Sequence, residues 1–180
     1  MGAAAIGIDF GTTNTVVALA GGDGGAHLVA FPREDSEVVA FRSALSFHAP
    51  PEDPDERVVE AGPWAIDAYL EEPLETRFIQ SFKSYAASPL FTETQILGRR
   101  FRFEDLLSAF LLRLKAHGGA QLSKPPSRLI VGRPVNFAGQ QPDPALAIAR
   151  YEAAFQRLGF TEIRYARSGF RETKKLTVLR

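Results

Sequence analysis

The sequence predicts an α/β fold built on a mixed sheet, and three observations carry that expectation. Two apolar, β-branched runs, Ala4 to Phe10 and Thr15 to Leu19, flank a glycine-containing turn and open the chain as a β-meander. The middle places short extended runs ahead of one long amphipathic helix, Phe103 to Ala116. The last part reads strand, helix, strand, the pattern that feeds parallel strands into a sheet.

The elements follow in order. After the first hairpin, Gly21-Gly-Asp-Gly-Gly25 is a flexible turn, and His27 to Phe31 reads as a third strand. Pro32 to Glu37 reads as a polar link, Val38 to Phe41 as a short extended run, and Ser43 to Phe47 as a further strand. Ala49 to Glu56, acidic and rich in proline, reads as a solvated surface loop. Val58 to Ala61 is a candidate strand. Pro63 to Leu70 reads as a helix with proline in its first turn and Trp64, Ile66 and Leu70 as packing residues. Arg77 to Tyr85 mixes apolar and basic residues without a clean period, and Gln95 to Phe103 is a basic, aromatic bridge. In the long helix Leu106, Phe110 and Leu114 recur at helical spacing, acids lie early, bases lie late, and Gly118-Gly119 stops it. Arg128 to Val135 is a buried-type strand ended by Pro134. Asp143 to Leu158 is a second helix, capped by Asp143, opened by Pro144 and closed by Gly159, and Thr161 to Tyr165 starts another strand.

Bulk properties narrow the function. The chain has 180 residues and 45% hydrophobic content, enough for one domain or two small ones with a real core. Its 21 basic and 21 acidic residues cancel, so nothing favours a nucleic-acid footprint or an anionic membrane surface. Cysteine is absent, which excludes disulfides and thiolate zinc sites. The start lacks the charge and apolar core of a secretory signal, Ile6 argues against myristoylation, and no run reaches the length of a membrane span. A soluble, cytoplasmic protein is the expectation.

The chemistry concentrates in Ile6-Gly-Ile-Asp-Phe-Gly-Thr-Thr-Asn-Thr-Val-Val-Ala18. Glycine lets the main chain approach an anion closely, and the Thr12, Thr13 and Asn14 side chains add donors beside Gly11. Asp9 stands at the strand's end, where a carboxylate can hold Mg²⁺ through the ion's waters. An anion cradle beside a cation ligand describes a nucleoside triphosphate site. It is not a Walker A loop, since no G-x-x-x-x-G-K-[ST] run occurs. The competing reading is a plain β-hairpin whose turn only reverses the chain.

Elsewhere the polar residues have plainer readings. Glu104 and Asp105 fit favourable charges in a helix's first turn better than an acid/base pair. His27, His48 and His117 show no metal-ligand spacing and read as isolated polar residues, and Trp64 reads as core.

The Gly-Ile-Asp-Phe-Gly-Thr-Thr-Asn-Thr wording resembles the phosphate-1 motif of the actin-like ATPase superfamily, and within it the heat-shock protein 70 (DnaK-type) chaperones. Further stretches resemble that family in the expected order. Ser43 to Phe47 looks like the strand before its first helical insert. Arg77 to Ser84 and Leu97 to Phe101 look like the stretch bearing its catalytic lysine. Leu129-Ile-Val-Gly-Arg-Pro-Val-Asn-Phe137 looks like the strand ending in Val-Pro-Ala-Tyr-Phe, and Asp143 to Phe160 like the helix ending in Leu-Gly-Phe. The spacing is most similar to the compact YegD-type relatives.

The resemblance implies an actin-like, ribonuclease H-like ATPase lobe with a mixed sheet, a meander opening and flanking helices, spanning residues 1–180 as the N-terminal part of a larger nucleotide-binding domain. It implies ATP or ADP with Mg²⁺ as cofactors. Gly11, Thr12, Thr13 and Asn14 would touch the β- and γ-phosphates, and Asp9 would orient hydrated Mg²⁺. Lys83 is the candidate for the lysine facing the γ-phosphate, where an ammonium stabilises developing charge. Thr12 or Thr13 would help place the attacking water or γ-phosphate. The alternative for Lys83 is a solvated head over a packed stem, and Arg99, Arg100 and Arg102 read as a solvated basic face. Partners implied for the whole protein are ATP, unfolded client proteins and co-chaperones, with no nucleic acid and no membrane.

The sequence departs from the family beyond Tyr165, where the pattern calls for Glu-Pro and small residues but the chain reads Ala166-Arg-Ser-Gly-Phe170 and stays basic. The second phosphate loop and the adenosine motif do not occur, so the expectation is an incomplete domain that binds nucleotide weakly, from truncation, deletion or a frameshift, with a natural divergent end as the alternative. Rival readings are a sugar or acid kinase of the same superfamily, a filament-forming actin-like protein, and a non-catalytic interaction fragment.

Overall fold

A computed structural model describes residues 3–50, 52–53, 56–134, 137 and 141–168. The chain opens with β1 (Ala5–Phe10), β2 (Asn14–Ala20) and β3 (Ala26–Leu28), an antiparallel meander. There follow β4 (Phe31–Arg33), β5 (Ser36–Val38), β6 (Phe41–Arg42), β7 (Ala44–His48) and β8 (Val58–Ala61). Helix α1 (Pro63–Glu71) leads to β9 (Arg77–Gln80) and a 3₁₀ turn (Phe82–Tyr85). The hairpin β10 (Thr94–Ile96) and β11 (Arg99–Phe101) precedes α2 (Phe103–His117) and the short α3 (Gly119–Leu122). Strand β12 (Arg128–Pro134), α4 (Pro144–Arg157) and β13 (Glu162–Ser168) complete the described elements.

The main sheet is mixed, as expected for this α/β fold. Its order is β13-β12-β1-β2-β3, with β6 also pairing β2; β1, β12 and β13 run parallel. Alternation along the strands decides which face is buried. Ile6, Ile8 and Phe10 of β1, Val17 and Leu19 of β2, and Leu129 and Val131 of β12 share one core with Leu106, Phe110 and Leu114 of α2 and Tyr151 and Phe155 of α4. The intervening Asp9 and Ile130 are exposed and Gly7, Val16 and Ala18 are half-buried. A second sheet, β8-β7-β9, is antiparallel throughout.

Phe110 lies at the junction of the layers. It is fully buried, with ring centroids 5.6 Å from Phe10, 5.6 Å from Phe41 and 5.8 Å from Phe82. The helix ends obey local rules. Asp143 accepts from the amides of Ala145 and Leu146 at 2.9 and 3.0 Å, and Asp105 accepts from the Arg102 amide at 2.8 Å. Gly159 follows α4 at φ 89°.

Four local expectations need correction. The third strand is split, because β3 stops at Leu28 and Phe31 belongs to the β4–β5 hairpin. The presumed polar link from Pro32 is therefore a two-stranded ribbon; Pro32 is tolerated because no further strand needs its missing N–H. The basic bridge from Gln95 contains the β10–β11 hairpin, whose two central residues, Leu97 and Gly98, have φ of 47° and 77°. Positive φ at both positions matches the twist of the flanking strands. Leu70 is 70% exposed, and the buried residue of α1 is Ala65.

His117, expected to be isolated, is instead tied in. Its Nε2 meets Glu60 at 2.8 Å, Arg113 donates to the same carboxylate, and the imidazole stacks on Trp64 at 3.7 Å. This clasp fastens the end of α2 to β8 and α1. Burial pushes the Glu60 pKa up, but His117 and Arg113 outweigh it and hold the carboxyl below its ordinary value. No helix among the described residues is long and apolar enough to cross a membrane.

Two outcomes follow. Phe110→Ala is expected to lower the unfolding free energy by about 3–5 kcal/mol in urea titrations. The Glu60 contribution is complete above the unfolded value of 4.5 and is lost as pH falls through the lower folded value. Glu60→Gln should therefore flatten the acid limb of the stability–pH curve relative to the parent.

Candidate functional site

Strand β1 delivers Asp9 and Phe10 to its carboxyl end, and the chain reverses at once through Gly11, Thr12 and Thr13 into β2. The Gly11 amide donates to the Asn14 carbonyl at 3.0 Å. A Cβ at Gly11 would lie 2.2 Å from that oxygen, so only glycine fits. The same hydrogen bond engages the Gly11 N–H within the turn. Gly11 therefore serves the site by its shape, and Thr12, Thr13 and Asn14, all exposed, present the polar groups. Strand β6, with Arg42 opposite Asn14 and Phe41 opposite Thr15, and Ser43 just after it pin the turn. The Ser43 amide donates to the Thr13 carbonyl at 2.8 Å, and the buried hydroxyls of Thr15 and Ser43 meet at 2.9 Å. A satisfied buried pair of this kind holds the backbone in one register.

Asp9 points away from the core, since its neighbours Ile8 and Phe10 are the buried ones. It stands in register between Val16 of β2 and Gly132 of β12, and Ala166 of β13 comes next in the same row. At Gly132 a Cβ would fall 3.0 Å from the Asp9 carboxylate oxygen and 3.3 Å from its Cγ, so glycine leaves the space the carboxylate occupies. A glycine interrupting the apolar run Leu129 to Val131 is the signal that would have found this position. The carboxyl ends of β1, β12 and β13 share one edge of the sheet, where open α/β sheets hold ligands.

Lys83 arrives from a distant part of the chain. After β9, Ser81 adopts a left-handed conformation, φ 56°, and turns the chain into the 3₁₀ segment. The Lys83 ammonium then donates to the Phe10 carbonyl and lies 5.5 Å from the Phe10 ring centroid. Burial lowers the Lys83 pKa below 10.5, and attraction to Asp9 offsets part of that shift. An ammonium has three donors, so two remain beyond the carbonyl contact. The head of Lys83 is thus half-buried at the end of β1 rather than solvated.

The structure therefore brings Asp9, Gly11, Thr12, Thr13, Asn14 and Lys83 together at one end of β1. It leaves the other candidates apart. Arg99, Arg100 and Arg102 are exposed, with Arg100 near Glu93 at 3.4 Å. Asp105 caps α2 and pairs with Arg157 at 2.6 Å. Among the described residues no group of three or more His, Cys, Asp or Glu could hold a metal ion. Asp9 offers one exposed carboxylate, a ligand suited to an ion that keeps most of its waters. The sequence departs from the resemblance over residues 166–180; of these, 166–168 continue β13 and 169–180 lie outside the described residues.

The chain was compared with models of known protein families, and none matches.

The two glycines predict different outcomes. Gly11→Ala drives a Cβ into a backbone oxygen and should cost about 1–3 kcal/mol by chemical denaturation. Gly132→Ala meets a movable carboxylate, so stability should stay within about 1 kcal/mol while the Asp9 carboxyl ¹³C resonance shifts.

Proposed function

We propose that this chain carries the phosphate-binding half of an ATP site in an actin-like lobe of the DnaK-type chaperone class. One observation carries the reading: Lys83, 73 residues from Phe10 in sequence, brings its ammonium to the end of β1 beside Asp9 and the exposed Thr12-Thr13-Asn14 turn. A hairpin that only reverses the chain has no use for a half-buried lysine there. The mixed sheet with its meander opening agrees with the same reading.

In this reading Thr12, Thr13 and Asn14 donate to the terminal phosphate oxygens. The free donors of Lys83 face the γ-phosphate and stabilise charge that develops as the leaving oxygen departs. Asp9 would hold hydrated Mg²⁺, and the ion would supply positive charge to the phosphates. Thr12 or Thr13 positions the attacking water. In the whole protein, hydrolysis would be coupled to assisting the folding of client proteins with co-chaperones. The turn lies open to solvent, so it holds a ligand from one side and binding should be weak, with little turnover.

Isothermal titration with Mg-ATP tests the proposal. Weak, magnesium-dependent binding is expected, reduced at least about tenfold in Lys83→Ala, a loss of about 1.4 kcal/mol. Equal heats for the parent and for a Lys83→Ala, Asp9→Ala double variant would reject it.

A further inference from the structure

The loop after Lys83 is gathered by one side chain of α4. Arg150 donates from Nη1 to the carbonyls of Tyr85, Ala86 and Ser88 at 2.9, 3.0 and 3.1 Å, and from Nη2 to the carbonyl of Phe91. Its guanidinium lies 5.9 Å from the Phe103 ring centroid. The start of α4 grips the same loop, with the Asp143 amide donating to the Ala87 carbonyl at 2.8 Å. Ala86 and Ala87 are buried beneath these contacts. Within the loop the Ala86 amide donates to the Lys83 carbonyl at 3.0 Å, so the gathered segment is hydrogen-bonded directly to the residue that reaches β1.

We propose that Arg150 is a positioning residue for Lys83: by collecting four main-chain carbonyls of residues 85–91 it fixes the 3₁₀ turn from which the ammonium reaches the end of β1. Four carbonyls from one short loop converge only if the loop is curled, and the converging dipoles need a cation to hold them. A planar guanidinium supplies five donors in a rigid fork and satisfies several acceptors at once. A lysine at this position offers a single point charge and cannot bridge from Tyr85 to Phe91. On the other flank Phe82 is locked by Phe10 and Phe103, with ring centroids 5.4 and 6.2 Å away. Lys83 is therefore held between an aromatic anchor before it and an arginine clamp after it. The proposal rests on Lys83 being the phosphate-facing amine, and it adds a residue on a different element that sets where that amine sits.

The test follows Lys83 itself. The five lysine amines are reductively methylated with ¹³C-formaldehyde, and the Lys83 resonance is assigned by its loss in Lys83→Arg. In Arg150→Lys the Lys83 titration midpoint is expected to rise toward the ordinary lysine value, and the hydrogen-bonded amides of Ala86, Ser88 and Phe91 to exchange about tenfold faster. Arg157→Ala, on the same helix as Arg150, breaks the contact to Asp105 of α2 and should lower stability while leaving the Lys83 midpoint unchanged. Arg150→Gln serves if the lysine variant does not fold. An unmoved Lys83 midpoint in a folded Arg150 variant overturns the proposal, whatever happens to nucleotide binding. A moved midpoint, with Mg-ATP heats equal in the parent, Arg150→Lys and Lys83→Ala, upholds the positioning role and rejects the nucleotide reading instead.

Discussion

Phe10 joins the hydrophobic core to the polar turn. Its ring is buried against Phe82, Phe110 and Tyr151, while its carbonyl, one bond from the turn, receives the Lys83 ammonium. The two neighbours of Phe10 in sequence are the carboxylate and the glycine on which the candidate site depends. A displacement of the ring would therefore move Asp9 and Gly11 together, because a strand's side chains share one rigid backbone. Aromatic packing gives the site its precision, since interiors at crystal-like density leave a ring this size little freedom.

How legible this was in the sequence depended on the range of the interactions. The first hairpin, α2 and α4 were readable because their signals are local: alternation, helical spacing, and the cap of Asp143 with Pro144 behind it. The β4–β5 ribbon was hidden by Pro32, which argues against a strand unless the strand stands at an edge. The β10–β11 turn was hidden because its first central residue is Leu97, a side chain that rarely takes positive φ. Leu70 misled by helical spacing alone. Hydrophobic periodicity says which residues can pack, and α1 buries a different side.

The candidate site divides in the same way. Asp9, Gly11, Thr12, Thr13 and Asn14 are contiguous and could be read as one motif. That Lys83 belongs with them could be expected only through the resemblance, because nothing between residues 10 and 83 encodes their proximity locally. Gly132 and Arg150 went unnoticed as site residues. Gly132 acts by having no side chain, and Arg150 acts through carbonyls, which carry no sequence signature at all.

The clasp at Glu60 has a spectroscopic consequence. Trp64 is the sole tryptophan of the chain, and its indole is stacked on the His117 imidazole with 9° between the ring planes. The imidazole covers one face of the indole, so separating the two rings would change the surroundings of the emitting group. Intrinsic fluorescence therefore registers the packing of α1 against the end of α2. The protein carries its own optical gauge of that contact, with no label required.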